Sequence, residues 1–306
     1  MNRLPIPVAW LAILFAVLVG RPAAAADVAL ILSERSAAYQ EAAEAVRGAL
    51  EPQTDAVVLG PAELGSLNAK PPRLLVPIGL QALKAALDAD LRQPLLAVLV
   101  LRTTYEAVME RGARRAAAAS AVFLDQPPGR HLDLVRAALP ERRRVAVLLG
   151  PESSAQAESF RAAARERGMP LATARVAGPD EIYGALQRLL PDADVLVAVP
   201  DPAVWGAGTI QNILRTLYRE GMPLLAFSPA YVKAGATLAV HSTPEQVGRQ
   251  AGQAARQFLA GRPLPPPQHP VQFQVTVNRS VARSLGLAVP DEDALASQLR
   301  HAERTP

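Results

Sequence analysis

Val195-Leu-Val-Ala-Val-Pro-Asp-Pro202 is the stretch that decides the fold of this chain. Its unbroken apolar run is typical of a strand that is covered on both faces, as in a parallel sheet. The Pro-Asp-Pro turn predicts the end of that strand, and a helix is expected to begin near Gly206. Because open α/β sheets place ligand-contacting loops at the carboxyl ends of their strands, this turn is expected to lie near a binding site.

The same unit, a strand followed by a helix, recurs along nearly the whole chain. A first series of strands is expected at residues 27–33, 56–60, 73–79, 94–101 and 120–125. A second series is expected at residues 144–150, 171–176, 194–200 and 223–228. Helices are expected between them, among others at residues 37–50, 129–139, 155–167, 179–190 and 208–220. This alternation predicts an α/β fold with parallel, doubly wound sheets.

The end of the chain is predicted to tie two such sheets together. About 280 residues follow the N-terminal segment, which suits two domains of ordinary size. Residues 237–242 and a helix at 244–259 are expected to return to the first sheet. A proline-stiffened linker at 263–267 then leads to residues 271–277, whose alternation predicts a half-exposed strand.

Two domains joined by a hinge follow from this arrangement. The first is expected to hold residues 27–124 with about 238–262, the second residues 125–237 with about 270–290, and residues 291–306 are expected to form a polar tail. Crossings near Asp125, Thr237 and Gly261 would make a three-crossing hinge beside an interdomain cleft. Such clefts are common ligand sites, and hinges of this kind close around small molecules.

The first 26 residues are organised like a cleavable signal peptide. Arg3 gives a positive start, residues 8–19 are apolar, and Ala24-Ala25-Ala26 supplies the small residues at a cleavage site. A membrane-spanning helix needs about 20 apolar residues, so this run is short for a bilayer, and an uncleaved anchor is the alternative. The mature chain is expected to start near Asp27 and to be exported to the periplasm.

Composition excludes several classes of protein. The chain has no cysteine, which excludes disulfides, a thiol nucleophile and a lipid-modified cysteine at the cleavage site. Without Arg3 and Arg21 of the signal peptide, 30 of the 32 basic residues remain against 28 acidic ones, a net charge of +2. So balanced a charge gives no argument for a nucleic-acid partner, and none is expected.

The polar residues do not favour an enzyme. Ser228 stands in Phe-Ser-Pro and not in the Gly-x-Ser-x-Gly elbow of the α/β hydrolases. The four histidines are scattered without the spacing of metal ligands, and no Gly-x-Gly-x-x-Gly follows the first strand. No catalytic residue, metal or cofactor is therefore expected. An exported hydrolase would need a nucleophile and a base in one pocket, and the sequence offers no such pair.

Candidate ligand contacts in the first domain follow its predicted strands. Ser33 would offer a hydroxyl to an anion, with capping of the next helix as its alternative role. Arg35 would clamp a carboxylate, unless it is a solvated surface residue. Gly79 would let a ligand approach the backbone, or would simply permit a turn.

Candidate contacts in the second domain lie at the hinge and in three loops. Gln126 is expected either in the hinge or on the ligand, and Ser153 and Ser154 either cap a helix or bind an anion. Asp201 and Trp205 would hold an ammonium group and stack on a ring, although Asp in Pro-Asp-Pro also suits a turn. Ser228 and Tyr231 follow the last strand of the second series as further candidates, and Tyr231 would either offer a flat face and a hydroxyl or pack on a neighbouring loop.

Six further segments carry a family resemblance. They are Phe123-Leu-Asp-Gln-Pro127, Leu139-Pro-Glu-Arg-Arg-Arg-Val-Ala-Val147, Val199-Pro-Asp-Pro202, Pro223-Leu-Leu-Ala-Phe-Ser228, Tyr231-Val-Lys-Ala-Gly-Ala236 and Val277-Asn-Arg-Ser-Val-Ala-Arg-Ser-Leu-Gly286. With them the chain resembles the substrate-binding components of ABC transporters in the branch with the type I periplasmic-binding fold. It is similar to the group that includes tryptophan and tyrosine uptake components. The resemblance covers essentially the whole mature chain.

This resemblance implies a periplasmic solute-binding protein that captures a small molecule, such as an amino acid, in its interdomain cleft. It would act as a monomer and deliver its ligand to an ABC permease in the inner membrane. The alternative is a periplasmic ligand sensor that signals to a membrane partner without transport, since one fold supports both roles.

Overall fold

The computed structural model describes residues 26–89, 91–112 and 118–304. The expected signal peptide lies outside these residues except for Ala26. No helix in the described ranges is long and apolar enough to span a bilayer.

The first domain is built on a five-stranded parallel sheet. Its strands, in the spatial order β2-β1-β3-β4-β5, are β1 (Val28–Leu32), β2 (Ala56–Leu59), β3 (Leu74–Ile78), β4 (Leu95–Val100) and β5 (Ala119–Phe123). Its helices are α1 (Ala37–Gly48), α2 (Leu80–Asp88) and α3 (Arg102–Gly112), with a 3₁₀ helix at Pro61–Asn68. Strands β1, β3 and β4 are buried along their whole length, as their continuous apolar sequences predict.

A helix from much later in the sequence completes this domain. Helix α9 (Pro244–Leu259) packs with α1 on one face of the first sheet, while α2, α3 and the 3₁₀ helix cover the other face. Two glycines of α9 allow the close approach, because a Cβ on Gly248 would lie 2.3 Å from the carbonyl oxygen of Ala42. The expected return of this helix to the first domain is therefore observed.

The second domain is built on a six-stranded sheet. Its strands, in the order β11-β10-β9-β8-β6-β7, are β6 (Val145–Leu149), β7 (Leu171–Arg175), β8 (Val195–Val197), β9 (Leu224–Ala226), β10 (Leu238–His241) and β11 (Gln274–Val277). All neighbours are parallel except β11, which is antiparallel to β10. The two domains and their mainly parallel sheets confirm the predicted fold class.

Helices cover both faces of the second sheet. One face carries α4 (Pro128–Ala138), α5 (Ala157–Glu166) and α11 (Glu292–Ala302), and the other carries α6 (Ile182–Leu189), α7 (Ile210–Arg219) and α8 (Pro229–Ala234). The short helix α10 (Arg279–Ser284) follows β11. Helix α7 begins about one turn later than the expected start near Gly206, because residues 202–208 form turns.

The expected return of residues 237–242 to the first sheet is wrong. Strand β10 belongs to the second sheet, where the Thr237 N–H donates to the carbonyl oxygen of Leu224 at 3.0 Å. The second crossing therefore follows His241 and does not lie at Thr237. The third crossing lies beyond Gly261, because Gln268 still pairs with β5. A buried apolar run fits either sheet, so only strand pairing distinguishes them.

The expectation that residues 291–306 form a polar tail is also wrong. Residues 292–302 form α11. Asp291 is its N-cap, and the Asp291 side chain accepts a hydrogen bond from the Ala294 N–H at 2.8 Å. Leu295 and Leu299, one helical turn apart, are buried against the rest of the second domain. The numerous charged residues of this segment cover the outer face of a packed helix.

Candidate functional site: the interdomain cleft

A small cavity lies between the two domains beside the hinge. Both domains contribute to its wall, the first through the start of α3 and the second through the segment that leads into α5. Its lining residues are Arg102, Thr103, Glu106, Asp125, Pro128, Ala155, Gln156, Ser159 and His269. The cavity therefore lies at the carboxyl ends of β4, β5 and β6, where α/β folds place ligands.

Asp125 is the most strongly constrained acid of this cavity. The Arg102 N–H donates to its Oδ1 at 2.7 Å, and Nδ1 of His269 lies 3.9 Å from its Oδ2. Burial raises the pKa of the Asp125 carboxyl, while the Arg102 N–H and the nearby His269 act in the opposite direction. The Arg102 side chain pairs with Glu106 at 2.8 Å and stays partly exposed. The cavity thus presents an acid and a cation within one small volume.

Ser33 and Gly79 lie together at the carboxyl ends of β1 and β3. The Oγ of Ser33 accepts a hydrogen bond from the Ala82 N–H at 2.9 Å, so it caps α2 and not the helix that follows it in sequence. Gly79 has a φ of 89°, and a Cβ there would lie 2.6 Å from the Ser33 Oγ and 2.8 Å from the ring of Tyr39. Only glycine suits this position. Tyr39, which the sequence analysis missed, therefore closes this corner.

Arg35 does not join that group through any hydrogen bond or ion pair of its side chain. The residue is exposed, and its carbonyl oxygen accepts a hydrogen bond from Nε2 of Gln40 at 3.3 Å. Its guanidinium remains a solvated cation in the loop between β1 and α1.

Asp201 and Ser153 bind each other. The Asp201 carboxylate accepts hydrogen bonds from the Ser153 N–H and Oγ, each at 2.8 Å, and from the Ala203 N–H at 3.1 Å. The Oγ of Ser153 accepts one from the Gly150 N–H at 2.9 Å. Since Asp201 is 2 % exposed, these groups join the loops after β6 and β8 inside the protein. The geometry does not offer Asp201 to a ligand ammonium group.

Trp205 is a core residue, while Tyr231 is half-buried beside it. Trp205 is 2 % exposed, so its ring offers no open stacking face. The Tyr231 hydroxyl donates to the carbonyl oxygen of Trp205, and its ring centroid lies 4.6 Å from that of Phe227. Burial raises the pKa of the Tyr231 hydroxyl. Phe227, another residue that the sequence analysis missed, and Tyr231 form the aromatic pair of this loop.

The remaining predicted contacts are small polar side chains and one hinge residue. The Ser154 Oγ donates to the carbonyl oxygen of Pro151 at 3.2 Å. Ser228 precedes α8 without capping it through its side chain. Gln126 uses both ends of its amide, accepting from Arg130 and donating to the Ser242 Oγ at 3.0 Å, and so belongs to the hinge.

The described residues contain no cluster of three or more potential metal-ligating His, Asp or Glu side chains. The cavity wall carries acids, Asp125 and Glu106, the cation of Arg102 and the hydroxyls of Thr103 and Ser159, and such polar groups can orient a small polar molecule.

The profile of a family described as ABC transporter substrate binding protein matches residues 66–299. No curated protein sequence matches the chain.

Several solved structures share the fold. An ABC domain from Streptococcus pneumonia in complex with L-Trp has a TM-score of 0.60 at 16% identity, covering 90% of this chain and 98% of that one. A ligand-free, open substrate-binding protein from Clostridium difficile has a TM-score of 0.68 at 17% identity, covering 86% and 96%. A periplasmic ribose ABC transporter protein from Conexibacter woesei has a TM-score of 0.56 at 17% identity, covering 88% and 97%.

Proposed function

This chain belongs to the family of ABC transporter substrate-binding proteins, and we propose that it captures a small molecule in the periplasm and delivers it to a permease in the inner membrane. The observation that carries the proposal is the cavity beside the hinge, whose wall comes from both domains. A ligand bound there would contact both domains at once, so its binding energy would favour a closed arrangement.

We place the ligand between the loops at the carboxyl ends of the strands. From the first domain, Ser33, Gly79 and Arg102 would face it, with Asp125 at the hinge. From the second domain, residues 154–159 and the aromatic pair of Phe227 and Tyr231 would face it. Asp201, Ser153 and Trp205 would act behind this surface, by holding the loops in place.

An amino acid is the ligand class that these groups favour. Asp125 would accept from an ammonium group and Arg102 would donate to a carboxylate, while a ring would lie against Tyr231. The Streptococcus relative is described as a complex with L-Trp, which agrees in class, although the Conexibacter relative is described as a ribose protein.

The proposed location in the periplasm is supported by the N-terminal sequence and by the family. Export through the predicted signal peptide would place a monomer in the periplasm, beside a permease. A sensor that signals to a membrane partner without transport is the other hypothesis for the same fold, and no observation favours it. No step of this function requires catalysis or a cofactor.

Thermal unfolding of residues 27–306 with a panel of amino acids, sugars and organic acids tests the proposal. A ligand at about 100 times its dissociation constant adds roughly 2.7 kcal/mol of stability, which raises Tm visibly. Arg102→Gln should weaken binding of the stabilising compound about tenfold or more, because hydrogen bonds to charged groups contribute about 1.5–3 kcal/mol.

The matched control is Arg144→Gln. Arg144 also pairs with an acid, Asp194, at 2.9 Å, but it lies just before β6 and not in the cleft. Equal loss of affinity in both variants, or no stabilisation by any compound of a chain that is folded by circular dichroism, would count against the proposed site.

A further inference from the structure

The guanidinium of Arg130 is buried at the centre of the hinge. Arg130, on α4, is 5 % exposed, and its Nε and Nη2 donate to the two carboxylate oxygens of Glu303 at 2.5 and 2.9 Å. Its Nη1 donates to Oε1 of Gln126 and to the carbonyl oxygen of Pro270 at 2.8 Å. The guanidinium carbon also lies 4.1 Å from the ring centroid of Phe273. Every side of this cation is therefore occupied.

These contacts reach all three crossings between the domains. Gln126 lies on the first crossing and Pro270 on the third. The Gln126 Nε2 donates to the Ser242 Oγ on the second crossing, and that Oγ donates to the carbonyl oxygen of Gln272 at 2.6 Å. One connected network, with a cation at its centre, joins the three chain segments at the second-domain side of the hinge.

The first-domain side of the hinge is fixed by different bonds. On the first crossing, the Leu124 N–H donates to the carbonyl oxygen of Val100 at 3.0 Å. On the third, the Gln268 N–H donates to the carbonyl oxygen of Ala121 at 2.9 Å. Between the two fixed sides, the backbone links are Asp125 on the first crossing and His269 on the third, and Nδ1 of His269 lies 2.9 Å from the carbonyl oxygen of Asp125. The side chain of Gln250, on α9, spans this gap: it donates to the carbonyl oxygen of His269 at 3.2 Å and accepts from the Val271 N–H at 2.8 Å. On the second crossing, Thr243 already caps α9 through its hydrogen bond from Gln246.

We propose that Arg130 and Glu303 are positioning residues of the hinge. Through this pair, α11 clamps the three crossings to the second domain and thereby confines bending to Asp125, His269 and the Ser242–Thr243 junction. Only the cation of this pair is buried, since Arg130 is 5 % exposed and the Glu303 side chain 33 %. A hydrogen-bonded ion pair around a buried guanidinium holds its partners in place, whereas removal of Glu303 leaves that charge uncompensated. The role of this clamp in ligand capture rests on the proposed function, but the clamp itself exists without ligand.

Helix α11 is suited to carry the clamp. Its buried Leu295 and Leu299 anchor it to the core beside α4, and Oε1 of Glu292 accepts a hydrogen bond from the Val277 N–H at 2.6 Å. Glu303 is the residue that follows its last turn. The helix thus holds a carboxylate at a fixed position over the hinge.

Spin-label distances in the ligand-free protein test the proposal. The chain has no cysteine, so Glu44→Cys on α1 and Gln211→Cys on α7, both exposed, place one label on each domain. Glu303→Gln, and separately a chain that ends after Ala302, should widen the interdomain distance distribution and shift its mean. Asp133→Asn is the control, because Asp133 pairs with Arg167 through two similar bonds, at 2.9 and 2.8 Å, without contacting a crossing.

The proposal is overturned if both Glu303 variants fold and reproduce the wild-type distribution, or if Asp133→Asn widens it equally. Unfolding of both Glu303 variants would also overturn it, because the pair would then serve the stability of the second domain. The spin-label distances are measured without ligand. They can therefore be interpreted even if the thermal-shift panel identifies no ligand.

Discussion

Among single residues, Asp201 is the acid that the sequence most favours as a ligand contact, yet its carboxylate binds groups of the protein itself. The Asp201 carboxylate accepts three hydrogen bonds and is buried. Asp201→Asn should lower the free energy of unfolding by about 1–3 kcal/mol, because buried donors lose their acceptor. Urea unfolding measures this, with the exposed Asp180→Asn as the control. A variant of unchanged stability that no longer binds the stabilising compound would instead place Asp201 on the ligand.

His131 gives a second prediction at this scale. Burial lowers its pKa from 6.5 to about 4, and its Nδ1 lies 3.2 Å from the carbonyl oxygen of Pro127. The unfolded chain therefore binds a proton that the folded protein excludes. The free energy of unfolding is therefore highest above about pH 6.5. It falls by roughly 3 kcal/mol as the pH decreases from 6.5 toward 4.

Urea unfolding at several pH values measures this loss. In His131→Leu the decrease between pH 6.5 and 4 should become much smaller, whereas the exposed His301→Gln should retain it. Equal pH dependence in the wild type and His131→Leu would contradict the assignment.

That polar loops follow the carboxyl ends of the strands could be predicted from the sequence, but the direction of each side chain could not. The Asp201 carboxylate faces inward because the Ser153 N–H, 48 residues earlier in the chain, lies beside it. Ser33 caps α2 because β1 and β3 are neighbours in the sheet. Such contacts depend on tertiary placement, which local sequence does not encode.

At the scale of elements, the first domain depends on the close contact between α1 and α9. A Cβ on Gly248 would meet the backbone of Ala42 at 2.3 Å, and backbone atoms cannot move aside as a side chain can. Gly248→Ala should therefore destabilise the protein by about 1–3 kcal/mol, as overpacking does. Denaturant unfolding measures the change.

Gly48→Ala is the control for that variant. Gly48 also lies in a helix, α1, but a Cβ there would meet nothing within 4 Å. Alanine has the better helix propensity, so this variant should be neutral or more stable by up to about 1 kcal/mol. If both glycine variants gained stability, the close approach of the two helices would be wrong.

Sequence patterns predict some helices and strands directly, but they do not predict which sheet a strand joins or every helix. Buried strands such as Val28–Leu32 and Leu95–Val100 follow directly from their apolar runs. The apolar run of β10 was equally clear, yet its assignment to a sheet depends on the pairing of Leu238 with Leu225 and Val277. Helix α11 escaped prediction because it buries only Leu295, Ala296 and Leu299, and most of its other side chains are polar or charged.

At the scale of the whole molecule, the two domains are joined by short, well-bonded segments and not by a flexible linker. The proline-rich residues 263–267 lie before the third crossing, and Gln268 is already bonded to β5. Since each crossing is short and hydrogen-bonded at both ends, the domains should rotate as rigid bodies about a narrow axis, as hinged proteins do.

Small-angle scattering tests this closure. The protein should be more extended without ligand than with the compound that raises its Tm, because a ligand that contacts both domains can shift the equilibrium only through its higher affinity for the closed state. Scattering curves recorded with and without a saturating concentration should therefore differ in radius of gyration. A compound of the same class that gives no thermal shift is the control and should leave the curve unchanged. Superimposable curves with a compound whose binding has been measured independently would contradict closure, and the cavity beside the hinge would then bind its ligand without domain motion.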